Sequence, residues 1–132
     1  MTTVAAFYAR VLGLRRASTK RDARGVRAIW LRAGDTLVMI ERRERGEPGV
    51  TEGSLEATLF AIEASAHGLL RKRLARTKTK IESTTACSVY FRDPDGRRIG
   101  ASSYPNRAPA ATFAPPTKPR AARPEGRVAR GS

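Results

Sequence analysis

The stretch Ser88–Gly100, SVYFRDPDGRRIG, decides the fold. Cys87 to Arg92 (CSVYFR) reads as a strand, rich in β-branched and aromatic residues. Asp93-Pro94-Asp95-Gly96 is a tight turn, in which Pro94 presets the backbone and Gly96 takes the positive-φ position. Arg97 to Tyr104 is the return strand of this hairpin. Turn chemistry accounts for both acids of the turn, and no catalytic role is assigned to them.

Moving upstream, Ile81 to Thr85 is a further strand. Ser65 is placed to cap a helix that runs to about Thr77, with Leu70 and Leu74 on one face. Ser54 to Ile62 (SLEATLFAI) is a strand that leads into it. The second half therefore reads strand, helix, strand, strand, strand. In the first half Val4, Phe7, Tyr8 and Val11 fall at i, i+3, i+4 and i+7, the apolar stripe of a helix. Thr2 or Thr3 can cap it and Gly13 can end it. Leu14 to Lys20 reads as an edge strand and Val26 to Arg32 as a stronger one; Ala33-Gly34-Asp35 turns into a strand at Thr36 to Glu41. Glu44 to Gly53 is a linker. The first half is thus the second half's unit without its leading strand.

Three pieces in this order, AAFYARVLGL (5–14), AGDTLVMIE (33–41) and SVYFRDPDGRRIG (88–100), resemble the glyoxalase/bleomycin-resistance/extradiol-dioxygenase, or vicinal oxygen chelate, superfamily. The resemblance covers residues 1–104 and implies an α+β fold. Two paired βαβββ modules form an open, cup-shaped sheet, here with the first strand of module one missing from the chain. It also implies, for the superfamily's enzymes, a divalent metal held in the cup by His or Gln and Glu from four strands. This sequence departs from that ligand set. Met39, Ala57 and Gly100 stand where the ligands of the three visible strands are expected.

Strand alternation sorts the same residues without the family, because residues two apart share a face. Val38 and Ile40, Phe60 and Ile62, Ile99 and Ala101 form an apolar face suited to pack under helices. The opposite face carries Met39, Glu41, Ala57, Leu59, Gly100 and Ser102, and would line the cup. One carboxylate among these does not meet a hard dication's need for several oxygen or nitrogen donors. Trp30 and Tyr90 either stack on a planar ligand or serve as core or rim aromatics. Glu41 reads as a strand-end carboxylate paired with an arginine, His67 as a surface or capping residue, and Cys87 as a small buried side chain.

Charge sets the choice of partner. The 132 residues carry a formal net charge of +14, and arginine supplies 21 of the 26 cations. An anionic partner such as nucleic acid is one reading; an Arg-, Ala- and Gly-heavy composition with scattered arginines is the other, and it is favoured. Arg71 to Lys80 holds six cations and no acid, and reads as a solvated helix face without interleaved aromatics. Residues 105–132 contain six of the eight prolines and are expected to form a disordered Pro/Ala/Arg-rich tail. They carry six cations and one acid, which leaves +9 on residues 1–104. That charge disfavours a cationic ligand.

One cysteine and one histidine exclude an intramolecular disulfide and a metal site built on several imidazoles or thiolates within one chain. No apolar run reaches membrane-helix length, and no secretory signal is expected. A cytoplasmic setting is expected. The function expected is binding of a small neutral or anionic molecule in the cup, with no metal, no cofactor and no catalytic residue. A homodimer would cover the open edge of module one. The alternatives are a glyoxalase-type lyase or dioxygenase with atypical or partner-supplied ligands, and a basic nucleic-acid-associated module.

Overall fold

The apolar stripe of the first eleven residues becomes helix α1, Thr2–Leu12, which buries Val4, Ala5, Phe7, Tyr8 and Val11. This is a computed structural model, and it describes residues 1–105. The expected tail therefore lies outside the described residues, apart from Pro105. Gly13 ends α1 in the left-handed conformation, with φ 70. Neither Thr2 nor Thr3 caps it, because helical geometry already begins at Thr2 and the capping position falls on Met1, which makes no side-chain cap bond.

Strands β1 (Arg15–Asp22), β2 (Gly25–Ala33) and β3 (Thr36–Glu41) form an antiparallel sheet in the order β1-β2-β3. Ile29 and Leu31 are fully buried on one face of β2. A second sheet contains β4 (Ala57–Ala61), β5 (Ile81–Thr84), β6 (Ser88–Arg92) and β7 (Arg98–Ser102) in the order β4-β7-β6-β5. Among the described residues only β4 and β7 pair in parallel, the register that a βαβββ unit requires of its first and last strands. Helix α2, His67–Arg76, follows a 3-10 turn at Ala64–Ala66 and buries Leu70 and Leu74. Ser65 lies inside that turn and does not cap α2. β4 is shorter than the expected Ser54–Ile62 strand because Ser54 is tied into a turn by its amide, which donates to the Thr51 carbonyl at 3.2 Å.

Both helices and both sheets share one core. Phe91 and Ile99 from the second sheet, Ile29 and Leu31 from the first, and Phe7, Val11 and Leu74 from the helices lie in it together. The duplicated α+β architecture expected from the sequence is present, with an open sheet and with no strand paired to the outer edge of β3 among the described residues. No helix of the described residues is long and apolar enough to cross a membrane.

Candidate functional site

The alternation that buries Ile99 and Ala101 turns Arg98, Gly100 and Ser102 to the other face of β7. Gly100 pairs with Leu59 on one side and with Tyr90 on the other. A Cβ at Gly100 would stand 2.9 Å from Tyr90 Cε1 and 3.0 Å from Leu59 Cγ, so the two side chains close over the glycine. Ala57 faces Arg98 in the register and lines a 460 Å³ pocket with Arg98, Thr58 and Ser54. The Ser102 hydroxyl is already engaged: it accepts from Ser88 Oγ at 2.7 Å and from the Tyr104 amide at 3.1 Å.

Arg98 is the residue that the sequence reading missed. Its guanidinium lies over the Tyr90 ring, 4.2 Å from the centroid, in cation–π geometry. Its terminal nitrogens donate to Ser83 Oγ at 3.2 Å and to the Leu55 carbonyl at 3.4 Å. Its buried Nε makes no hydrogen bond among the described residues and lies 3.7 Å from Glu82 Oε1, in an ion pair. Glu82 lies between Arg98 and Arg92, and accepts two bonds from Arg92 at 2.6 and 2.9 Å. The hydrogen bond from Arg92 holds the Glu82 carboxyl below the usual carboxylate range. Two arginines against one glutamate leave this face cationic. Arg98 sits two residues before Gly100, so strand alternation was the signal that would have found it.

The remaining candidates lie on the first sheet. Trp30 pairs with Met39 and is half-buried, while Met39 is 44% exposed. Glu41 accepts from Arg27 at 2.9 Å, the paired strand-end carboxylate that was expected. Met39 and Glu41 line a 780 Å³ cavity together with Val38, Tyr8, Phe60 and Arg97. The structure thus divides the eight candidates. Trp30, Met39 and Glu41 belong to one sheet, and Ala57, Leu59, Tyr90, Gly100 and Ser102 to the other.

Outside these faces, the His67 ring Nε2 lies 3.0 Å from Ser103 Oγ, an ordinary polar contact at the start of α2. Cys87 is half-buried in the turn before β6, not a buried strand residue as expected, because β6 begins only at Ser88.

The same two-module arrangement occurs in solved structures. A fosfomycin resistance protein, FosX, from Listeria monocytogenes is similar with a TM-score of 0.65 and 12% identity over 77% of this chain and 80% of that one. The chain has the vicinal oxygen chelate fold. A lactoylglutathione lyase from Agrobacterium tumefaciens is similar at a TM-score of 0.54 and 19% identity, over 76% of this chain and 83% of that one. An integron cassette protein from V. cholerae is similar at a TM-score of 0.55 and 21% identity, over 79% and 86%. No family model and no curated protein matches the chain.

The Listeria protein has been solved with Mn(II) and 1S,2S-dihydroxypropylphosphonic acid. The residues of this chain do not fit such a metal. Met39, Ala57 and Gly100 offer no hard donor. A longer side chain at Gly100 would first have to displace Tyr90 and Leu59. Among the described residues, no three His, Cys, Asp or Glu side chains group to hold an ion.

Proposed function

We propose that this protein binds a small neutral or anionic molecule, without a metal and without turnover, on the face of the second sheet built from Leu59, Tyr90, Arg98 and Gly100. One observation carries the reading. The Arg98 guanidinium is stacked on Tyr90, and Arg98 lines an open pocket. A planar carboxylate or phosphonate accepts from a guanidinium in bidentate fashion, and the flat Tyr90 ring presents an apolar surface beneath it. Ala57 and Ser102 border the site on β4 and β7, and Trp30, Met39 and Glu41 form the facing wall once a second copy closes the cup. The setting proposed is cytoplasmic.

Calorimetric titration of chelator-dialysed protein with benzoate and with methylphosphonate tests this. Binding of either anion in the presence of chelator, lost at least tenfold in Arg98→Gln, is the result expected. About one equivalent of zinc, nickel, iron or manganese retained after dialysis would overturn the metal-free reading. So would metal-dependent isomerisation of a methylglyoxal–glutathione adduct, which would favour the lyase alternative.

The dimer belongs to the same proposal. Among the described residues β3 pairs on one side only, and Leu37 and Met39 on it are 45% and 44% exposed beside the 780 Å³ cavity. An unpaired edge with exposed apolar side chains invites another strand. A symmetric partner would cover it and bring the first-sheet candidates of one copy towards the second-sheet candidates of the other. Like charge on the two bodies opposes this, and salt screens that repulsion. Light scattering at tens of micromolar protein is therefore expected to give a homodimer, tighter in 0.5 M than in 0.05 M salt. A monomer at both salt concentrations would defeat it.

A further inference from the structure

Folding sorts the charges that look scattered in the sequence. Helices α1 and α2 contain Arg10, Arg71, Lys72, Arg73 and Arg76 and no Asp or Glu. The ion pairs of the described residues run instead among strands and loops. Asp22, Glu41 and Glu44 engage Arg24, Arg27 and Arg42; Glu82 engages Arg92 and Arg98; Asp95 engages Arg97.

On α2 the buried side is Leu70 and Leu74, so Arg71, Lys72, Ala75 and Arg76 face outward, and all four are exposed. Lys78 continues the exposed face at the helix exit. None of Arg71, Lys72, Arg76 and Lys78 has an ion-pair partner among the described residues. Lys72 and Arg76 are four apart, a like-charge spacing that costs an isolated helix a few tenths of a kcal/mol. The helix dipole accounts for cations in the last turn, where Arg73 and Arg76 stand. It does not account for Arg71 and Lys72. Arg73 has a structural task besides, since its Nη1 lies 3.1 Å from where a Cβ on Gly13 would be, against the end of α1.

We infer that the outward face of α2, with Arg71, Lys72, Arg76 and Lys78, docks on the phosphate backbone of double-stranded nucleic acid without reading its sequence. Three cations on a rod of about 15 Å, with Lys78 just past its end, match a polymer that carries one charge per ~1.7 Å of its axis. Small Ala75 lies between the long cations and lets a backbone approach closely. No Phe, Tyr or Trp occurs on α2, so the face lacks the stacking platform that single strands use. Leu69 is the only large apolar side chain exposed on α2, too little apolar surface for insertion into a lipid interface. This face is built on the core-covering helix layer and shares no residue with the proposed small-molecule site.

Fluorescence anisotropy with a random-sequence 30-base-pair DNA duplex tests the inference on the full chain. Four phosphate contacts imply a log–log salt slope near −3.6, a loss of roughly 150-fold between 50 and 200 mM salt. R71Q/K72Q/R76Q, at three exposed positions, is expected to flatten the slope by about 2.7 and weaken binding at least tenfold at 100 mM. R15Q/R16Q/R21Q removes equal charge from exposed β1 positions and is expected to leave the slope unchanged. An equal loss in both triple variants would show that total charge, not this face, carries binding, and would overturn the inference. Unchanged binding in the α2 variant would place the contact elsewhere and overturn it too. Tighter binding to phosphatidylserine-containing vesicles than to DNA would assign the face to a membrane surface instead.

Discussion

Replacing Phe91 by alanine is expected to remove roughly 3–5 kcal/mol of stability. Phe91 is fully buried in the middle of the second sheet, between Ile81 on β5 and Ile99 on β7. Its ring lies 6.1 Å from that of Phe7, which meets Tyr8 edge-on at 5.9 Å. The side chain therefore fixes α1, an element of the first module, to the sheet of the second. Its loss leaves a cavity that a close-packed interior cannot collapse around, because three secondary-structure elements border it. A domain of this size has about 5–15 kcal/mol in total, so the variant sits near the unfolding threshold. Thermal unfolding followed by circular dichroism checks this, with a drop of more than about 12 °C expected. Leu55, 76% exposed, is the internal control, and Leu55→Ala should change stability by no more than about 0.5 kcal/mol. A Phe91→Ala protein that melts within a few degrees of the parent would mean that the two modules do not share one core.

Most of this architecture was legible in local sequence. Period-2 alternation in TLVMIE gives a strand with the observed bounds, and the Val4, Phe7, Tyr8 and Val11 stripe gives a helix buried on those residues. Helix starts were misread, because a Ser or Thr near a helix is a cap only if the backbone is non-helical at that residue. Thr2 is already helical, and Ser65 is inside a 3-10 turn. At the candidate site, Gly100 was found as an anomaly and Arg98 was passed over. The arginine looked like one more surface cation until Tyr90, on the neighbouring strand, was seen to lie beneath it. The run of six cations from Arg71 to Lys80 was visible in the sequence as a helix face, but not which of them stay unpaired. Pairing of the strand and loop arginines with carboxylates is a tertiary fact, and only after subtracting those pairs does the remaining charge stand out on α2.

The Asp93-Pro94-Asp95-Gly96 turn shows the same limit, and its two acids are expected to behave oppositely. Turn chemistry explains why both are tolerated, yet Asp93 is 4% exposed and Asp95 is not buried. Asp93 Oδ1 accepts from the amides of Asp95 and Arg97, each at 2.9 Å, which closes the hairpin. Its Oδ2 accepts from the Tyr8 hydroxyl at 3.0 Å, across 85 positions of sequence. One carboxylate thus shapes the turn and latches α1 to it. Asp93→Ala strands three donors at once and is expected to cost roughly 2–4 kcal/mol. Asp95→Ala removes an exposed pair with Arg97 and should be nearly neutral. The pH dependence separates the latch from the turn. Burial first, then the Asp93 charge, push the Tyr8 phenol well above its ordinary value of 10.0. The unfolded chain ionises at that ordinary value while the folded one holds its proton. The stability from this group is therefore complete below pH 10 and falls as pH rises beyond it. Tyr8→Phe should remove that alkaline loss while retaining the hairpin, and Asp93→Ala should weaken both. Urea unfolding at pH 7 and pH 10.5 reads the difference. If Tyr8→Phe lost stability between those two values as steeply as the parent, the latch would not be the group that titrates, and the helix would be held by its apolar face alone.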